Sequence, residues 1–119
     1  MQINVTQTQE RVPVTLLHLE GQFNLGSADQ FEQQAQQAYA AGARYLLIDM
    51  EQVTSLTSAG LRSMLLIAKM LGVSTTPHAK SPYFKLLNPN PQILHVLNIA
   101  GFTDLFDLYT DQAQAVASF

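Results

Sequence analysis

The run RYLLIDM, residues 44–50, constrains the fold more than any other feature of the chain. It is too short for a helix and too apolar for a strand with one wet face, so it suits a central strand buried on both sides. A sheet that buries such a strand needs helices to cover it, and the flanking sequence supplies them.

INVTQTQ alternates apolar and polar residues and reads as a half-buried edge strand. VTLLHLEG follows as a more buried strand that stops at Gly21. Ser27 is placed to cap a first helix, with Phe31, Ala35, Ala38 and Tyr39 on one face, a Gln-rich opposite face, and a stop at Gly42. RYLLIDM then ends near Asp49. GLRSMLLIAKML puts Leu61, Leu65, Ala68 and Leu71 on one helical stripe, widened by Met64, Leu66 and Ile67. GVSTTPHAKSP is turn chemistry throughout. YFKLLN is the next strand, and NPNP ends it and opens a helix with Pro91 in the first turn and Ile93, Leu94 and Leu97 inward. LFDLY is a short last strand before a capped terminal helix, DQAQAVASF. The order β-β-α-β-α-β-α-β-α predicts a single α/β domain, a mixed, mostly parallel sheet of about five strands with four helices. No linker or internal repeat divides the 119 residues.

With no cysteine, disulfides and thiolate metal sites are excluded. The first ten residues lack the basic and apolar regions of a signal peptide, and no apolar run approaches the ~20 residues that span a bilayer. The expectation is a cytoplasmic protein without a membrane partner. Six Lys and Arg are scattered singly in a chain of net charge −3, so no basic stripe exists to neutralise phosphates, and nucleic-acid binding is not expected. With only 13% of residues charged, the surface is built from Gln, Asn, Ser and Thr, which suits docking onto other proteins.

An enzyme should show a constellation of reactive groups. His18, His78 and His95 fall in a strand, a loop and a helix, and no two have metal-ligand spacing. Asp49 has no evident paired acid or base and reads as a solvated strand end. Neither a phosphate-cradling glycine motif nor the nucleophile elbow G-x-S-x-G is present. Catalysis is not expected, and no cofactor is implied.

TSLTSAGLRS, residues 54–63, stands out instead: five of its ten residues are Ser or Thr. It lies at the carboxyl end of the best strand, where sites gather in open α/β sheets. Thr57 or Ser58 falls where the next helix needs its N-cap, so a purely structural role is available. A phosphate there would also meet the positive end of a helix dipole, with Arg62 one turn on.

The stretch LLIDMEQVTSLTSAGLRSML resembles the central strand, junction and second helix of STAS domains, the fold of anti-sigma-factor antagonists. In that family an apolar strand ending in Asp leads, a few residues later, to Asp-Ser-Ser/Ala-Gly-Leu at a helix start. LEGQFNLGSADQF is similar to the family's Gly-Glu-Leu-Asp segment, and LLNPNPQILHVLNIAGFTDLF to its fourth strand and third helix. The resemblance covers almost the whole chain. It implies a regulatory protein that binds an anti-sigma factor of the serine protein kinase type and lets go when phosphorylated. Carried over, Ser58 is the phosphoacceptor, with Thr57 the alternative. Ala59, Gly60 and Leu61 build the turn, Arg62 and Ser63 flank the docking surface, and Asn24 is a further partner-binding residue near the switch. Thr57 and Asn24 stand where the family carries Asp, and Gln22 where it carries Glu. Residues 72–82 form a longer connection than is usual there, suited to a partner-specific contact. The same resemblance allows another role, a STAS scaffold subunit that is never phosphorylated, in a stress-signalling complex or on a transport ATPase. Monomer and dimer are equally open.

Overall fold

In a computed structural model, which describes residues 1–72 and 79–119, the five expected strands form one sheet. β1 (Gln2–Gln9), β2 (Pro13–Phe23), β3 (Leu46–Leu56), β4 (Phe84–Leu87) and β5 (Leu108–Tyr109) lie side by side in chain order. β1 is antiparallel to β2, and every later pair is parallel. Parallel neighbours joined in order by crossovers of one hand must stack their helices on one face. The burial follows that rule. Phe31 and Ala35 of α1 (Leu25–Ala40), Met64, Ile67 and Ala68 of α2 (Ser58–Leu71), and Ile93 and Leu97 of α3 (Pro91–Ile99) share a core with Leu17, Leu19, Ile48, Met50, Phe84 and Leu86. After the short α4 (Phe102–Leu105), α5 (Gln112–Ala117) turns to the other face and sets Ala115 and Val116 on Val14, Leu16, Leu47 and Leu87. Leu47 and Ile48 are each covered, from opposite sides, as RYLLIDM required.

α5 is held by an unusual tether. Lys85 in β4 is only 5% exposed, and its ammonium donates to the Ser118 carbonyl at 3.0 Å and hydroxyl at 2.9 Å. The Phe119 ring lies 4.7 Å from the same nitrogen, so a cation–π contact shares the charge. Lys85→Ala is expected to cost about 2 kcal/mol, the loss of two charge-assisted hydrogen bonds and of buried stem. Denaturant unfolding measures the loss, and hydrogen exchange should quicken in α5 while α1 and α2 stay protected.

Several expectations need correction. α1 starts earlier than expected: Asn24 is the N-cap and Ser27 is the third helical residue. The Ser27 hydroxyl accepts from the Asn24 N–H at 3.0 Å and donates to the Gln22 carbonyl at 2.8 Å, so it braces the cap from inside the helix. Gly21 does not end β2; at φ +106° it kinks the strand, which runs on to Phe23. β1 takes the edge, but of its eight residues only Ile3 is partly buried. The stripe of α2 is rolled from the expected one: Gly60, Ser63, Met64, Ile67 and Ala68 face the core, and Leu66 is 49% exposed. LFDLY supplies only a two-residue strand, because residues 102–105 wind into α4, giving five helices among the described residues rather than four. His78 and most of the long connection over residues 72–82 lie outside the described residues.

Candidate functional site

β3 does not stop at Asp49. It stays paired with β2 as far as Leu56, through two slips in register, between His18 and Glu20 and again between Gly21 and Gln22. Each slip places an extra β3 residue against β2, and the two strands end level at the rim, with Leu56 opposite Phe23. Val53 and Leu56 stay buried along this extension, while Glu51, Gln52 and Thr54 face solvent. The polar residues hid the strand from a reading that followed apolar runs.

At the rim the chain turns into α2 with Thr57 as N-cap. The Thr57 N–H donates to the Phe23 carbonyl at 3.0 Å, which pins the helix start to the end of β2. Its hydroxyl makes no capping bond to the helix and leans toward the same carbonyl at 3.5 Å. Ser58 is the first helical residue and is exposed. Gly60 lets this corner close. A Cβ there would sit 2.9 Å from Leu56 Cδ1, Phe23 Cδ1 and the Phe23 carbonyl oxygen alike.

The N-terminus of α1 arrives beside that of α2. Asn24, Leu25, Gly26, Thr57, Ser58, Ala59 and Arg62 line one open hollow of about 660 Å³. Neither helix has an acidic residue in its first turn, so Arg62 brings the only formal charge among these lining residues. Two helix starts oriented toward one hollow give it a positive potential. Leu25 stands at its edge, 80% exposed. An apolar anchor beside hydroxyls and a cation is chemistry suited to a protein partner.

The structure therefore gathers Asn24, Thr57, Ser58, Ala59 and Arg62 at one place. Leu61 lies half-buried behind them. Gly60 and Ser63 face inward instead: Ser63 is 3% exposed and donates its hydroxyl to Glu32 of α1 at 2.8 Å. Ser63 thus ties α2 to α1. Leu25 was missed in the sequence, where nothing separates an apolar residue at a helix start from a core one.

Asp49 is not the solvated strand end expected of it. It lies within β3 opposite His18, whose Nδ1 is 2.8 Å from its carboxylate, and Thr6 Oγ1 is 2.8 Å from His18 Nε2. With Asp49 ionised, Nδ1 donates to it, and the other ring nitrogen takes up the Thr6 hydroxyl. This brace runs across β1, β2 and β3 on the face of the sheet opposite α1 and α2. Strand register alone creates it, since His18 and Asp49 are 31 residues apart. Among the described residues no group of three or more His, Cys, Asp or Glu is placed to hold a metal ion, and no helix is long and apolar enough to cross a membrane.

Comparison with known proteins agrees with this geometry. A Bordetella bronchiseptica protein named as an anti-sigma factor antagonist, BtrV, is 29% identical over 101 residues, spanning 85% of this chain and 82% of its own. An anti-sigma factor antagonist of Thermotoga maritima superposes with a TM-score of 0.78 at 18% identity, covering 95% of this chain and 90% of that one. SpoIIAA of Bacillus, an anti-sigma factor antagonist solved in two forms, gives 0.75 unphosphorylated, at 17% identity over 97% of this chain and 93% of its own. Its phosphorylated form gives 0.68, at 15% identity over 97% and 96%. At such identities the structural likeness speaks for the fold. The STAS domain model matches residues 5–115, nearly the full length of the sheet and its helices, and the chain belongs to that family.

Proposed function

We propose that this protein is a non-enzymatic regulatory module that captures an anti-sigma factor of the serine protein kinase type at the hollow between α1 and α2, and is switched by phosphorylation of Ser58. The observation that carries this reading is the position of Ser58: an exposed hydroxyl on the first turn of α2, in a hollow shared with the start of α1 and Arg62. Support also comes from relatives named as anti-sigma factor antagonists, one of which exists in a phosphorylated form. A phosphate at Ser58 adds about −1.5 to −2 charges where a helix dipole and a guanidinium tolerate them, so the fold is kept while the docking surface changes sign. Intact mass and peptide mapping of the protein from its native cells tests this: a phosphate on Ser58 is expected. A phosphate on Thr57 moves the switch by one residue, and none under any growth condition removes it.

One observation favours a scaffold role instead. The hollow has no carboxylate, since Asn24 and Thr57 occupy positions where the family carries Asp. A kinase that reads those carboxylates would pass this chain by. A constitutive subunit of a stress-signalling complex or of a transport ATPase would then co-elute with a large assembly, unmodified, in gel filtration of native extract.

A further inference from the structure

β1 is an unguarded sheet edge. It contacts little besides β2, and among the described residues no backbone hydrogen bond from outside that pair reaches it. Every second residue of an antiparallel edge strand turns its N–H and C=O away from its neighbour, so half of β1's backbone groups point outward. Soluble proteins usually block such an edge with charge, proline or a bulge. Between Gln2 and Gln9 this chain has none of these: the residues are Gln, Ile, Asn, Val, Thr, Gln, Thr and Gln, in unbroken register with β2.

We propose that β1 is a self-association edge, pairing antiparallel with β1 of a second copy to join two five-stranded sheets into one. Parity restricts the register. In a two-fold antiparallel ladder, outward-pointing residues must face outward-pointing residues, so the numbers of each facing pair sum to an even value. A sum of ten pairs seven of the strand's eight residues, from Gln2 to Thr8. It sets Val5 against its own copy, Ile3 against Gln7, Asn4 against Thr6 and Gln2 against Thr8. Apart from Ile3 against Gln7, the pairs suit one another. Val5 is 42% exposed on the α1 face, and a second Val5 brought beside it would cover it with an apolar surface. Asn–Thr and Gln–Thr pairs on the opposite face can exchange side-chain hydrogen bonds. The next charged residue after the strand, Glu10, falls beyond the ladder, and a net charge of −3 per copy leaves little repulsion to overcome. An extended peptide from another protein would gain the backbone bonds but not the matched pairs, so a second copy is the better occupant. No residue of the Thr57–Ser58 hollow belongs to β1, which leaves that rim free in the dimer.

Sedimentation velocity of the whole chain up to about 0.5 mM tests this, a range that reveals weak, small interfaces. A concentration-dependent dimer is expected. Val5→Lys should weaken it at least about tenfold, because like charges would face each other across the axis. Its thermal midpoint should match wild type, since the side chain is already exposed. Mixing Val5→Lys with Val5→Glu should restore a heterodimer, which no other register predicts. Gln2→Lys with Thr8→Lys is an independent disruption that leaves Val5 in place. A wild-type chain that stays monomeric throughout overturns the proposal, whether or not a foreign peptide binds the edge. So does a dimer indifferent to Val5→Lys, or a charge-swapped pair that fails to associate.

Discussion

Ser58→Asp is expected to weaken capture of an anti-sigma factor by about two orders of magnitude, with Ser58→Ala binding as tightly as wild type. The chain itself should not notice either change. Ser58 is exposed, so its substitution empties no cavity, and a carboxylate in the first turn interacts favourably with the helix dipole by about 0.3–1 kcal/mol. The partner bears the cost. A charge carried into a desolvated interface without a counter-charge costs several kcal/mol, and each ~1.4 kcal/mol is tenfold in affinity. Arg62 offsets part of that cost, and the two charges of a true phosphate exceed the single charge of Asp. The phosphorylated protein should therefore bind more weakly than Ser58→Asp. Titration calorimetry of both variants decides the matter. Equal affinities would end the Ser58 switch, while loss on Thr57→Asp alone would move it to the N-cap.

The second large effect lies two residues on. Gly60→Ala should lower stability by about 1–2 kcal/mol, opposite in sign to the usual gain of about 1 kcal/mol when a helical glycine becomes alanine. The added Cβ would meet three atoms at 2.9 Å, and one of them cannot swing aside: the Phe23 carbonyl oxygen is backbone and accepts the Thr57 N–H. Relief requires α2 to lift from the end of β2, which moves Thr57 and Ser58 with it. Urea unfolding should show a lower midpoint at unchanged slope, and partner affinity should fall even where the variant is fully folded. A rise in the midpoint would show that α2 does not approach β2 so closely.

The corner at Gly60 also explains which face α2 buries. From the sequence, Leu61 and Leu65 looked like the centre of its apolar stripe because they are large. Close approach to Phe23 and Leu56 instead selects the smallest residue for the contact point. Once Gly60 faces the sheet, helical geometry turns Met64, Ile67 and Ala68 inward and leaves Leu66 outside. The same roll buries the Ser63 hydroxyl against Glu32, which no helical pattern discloses.

Sequence by itself determined the order of the elements apart from α4, the buried central strand and the place of the hydroxyl stretch at a strand's carboxyl end, because apolar periodicity and turn residues are local and survive without neighbours. Thr57, Ser58 and Arg62 were legible as a group for that reason: all belong to one helix start. Tertiary structure alone decided what depends on register and approach. Pairing with β2, through two slips in register, carried β3 past Asp49, and strand pairing joined Thr6, His18 and Asp49 into one brace. Docking of α1 beside α2 brought Asn24 and Leu25 to Ser58. These contacts join residues far apart in the chain, and their partners are chosen by packing that no single segment encodes.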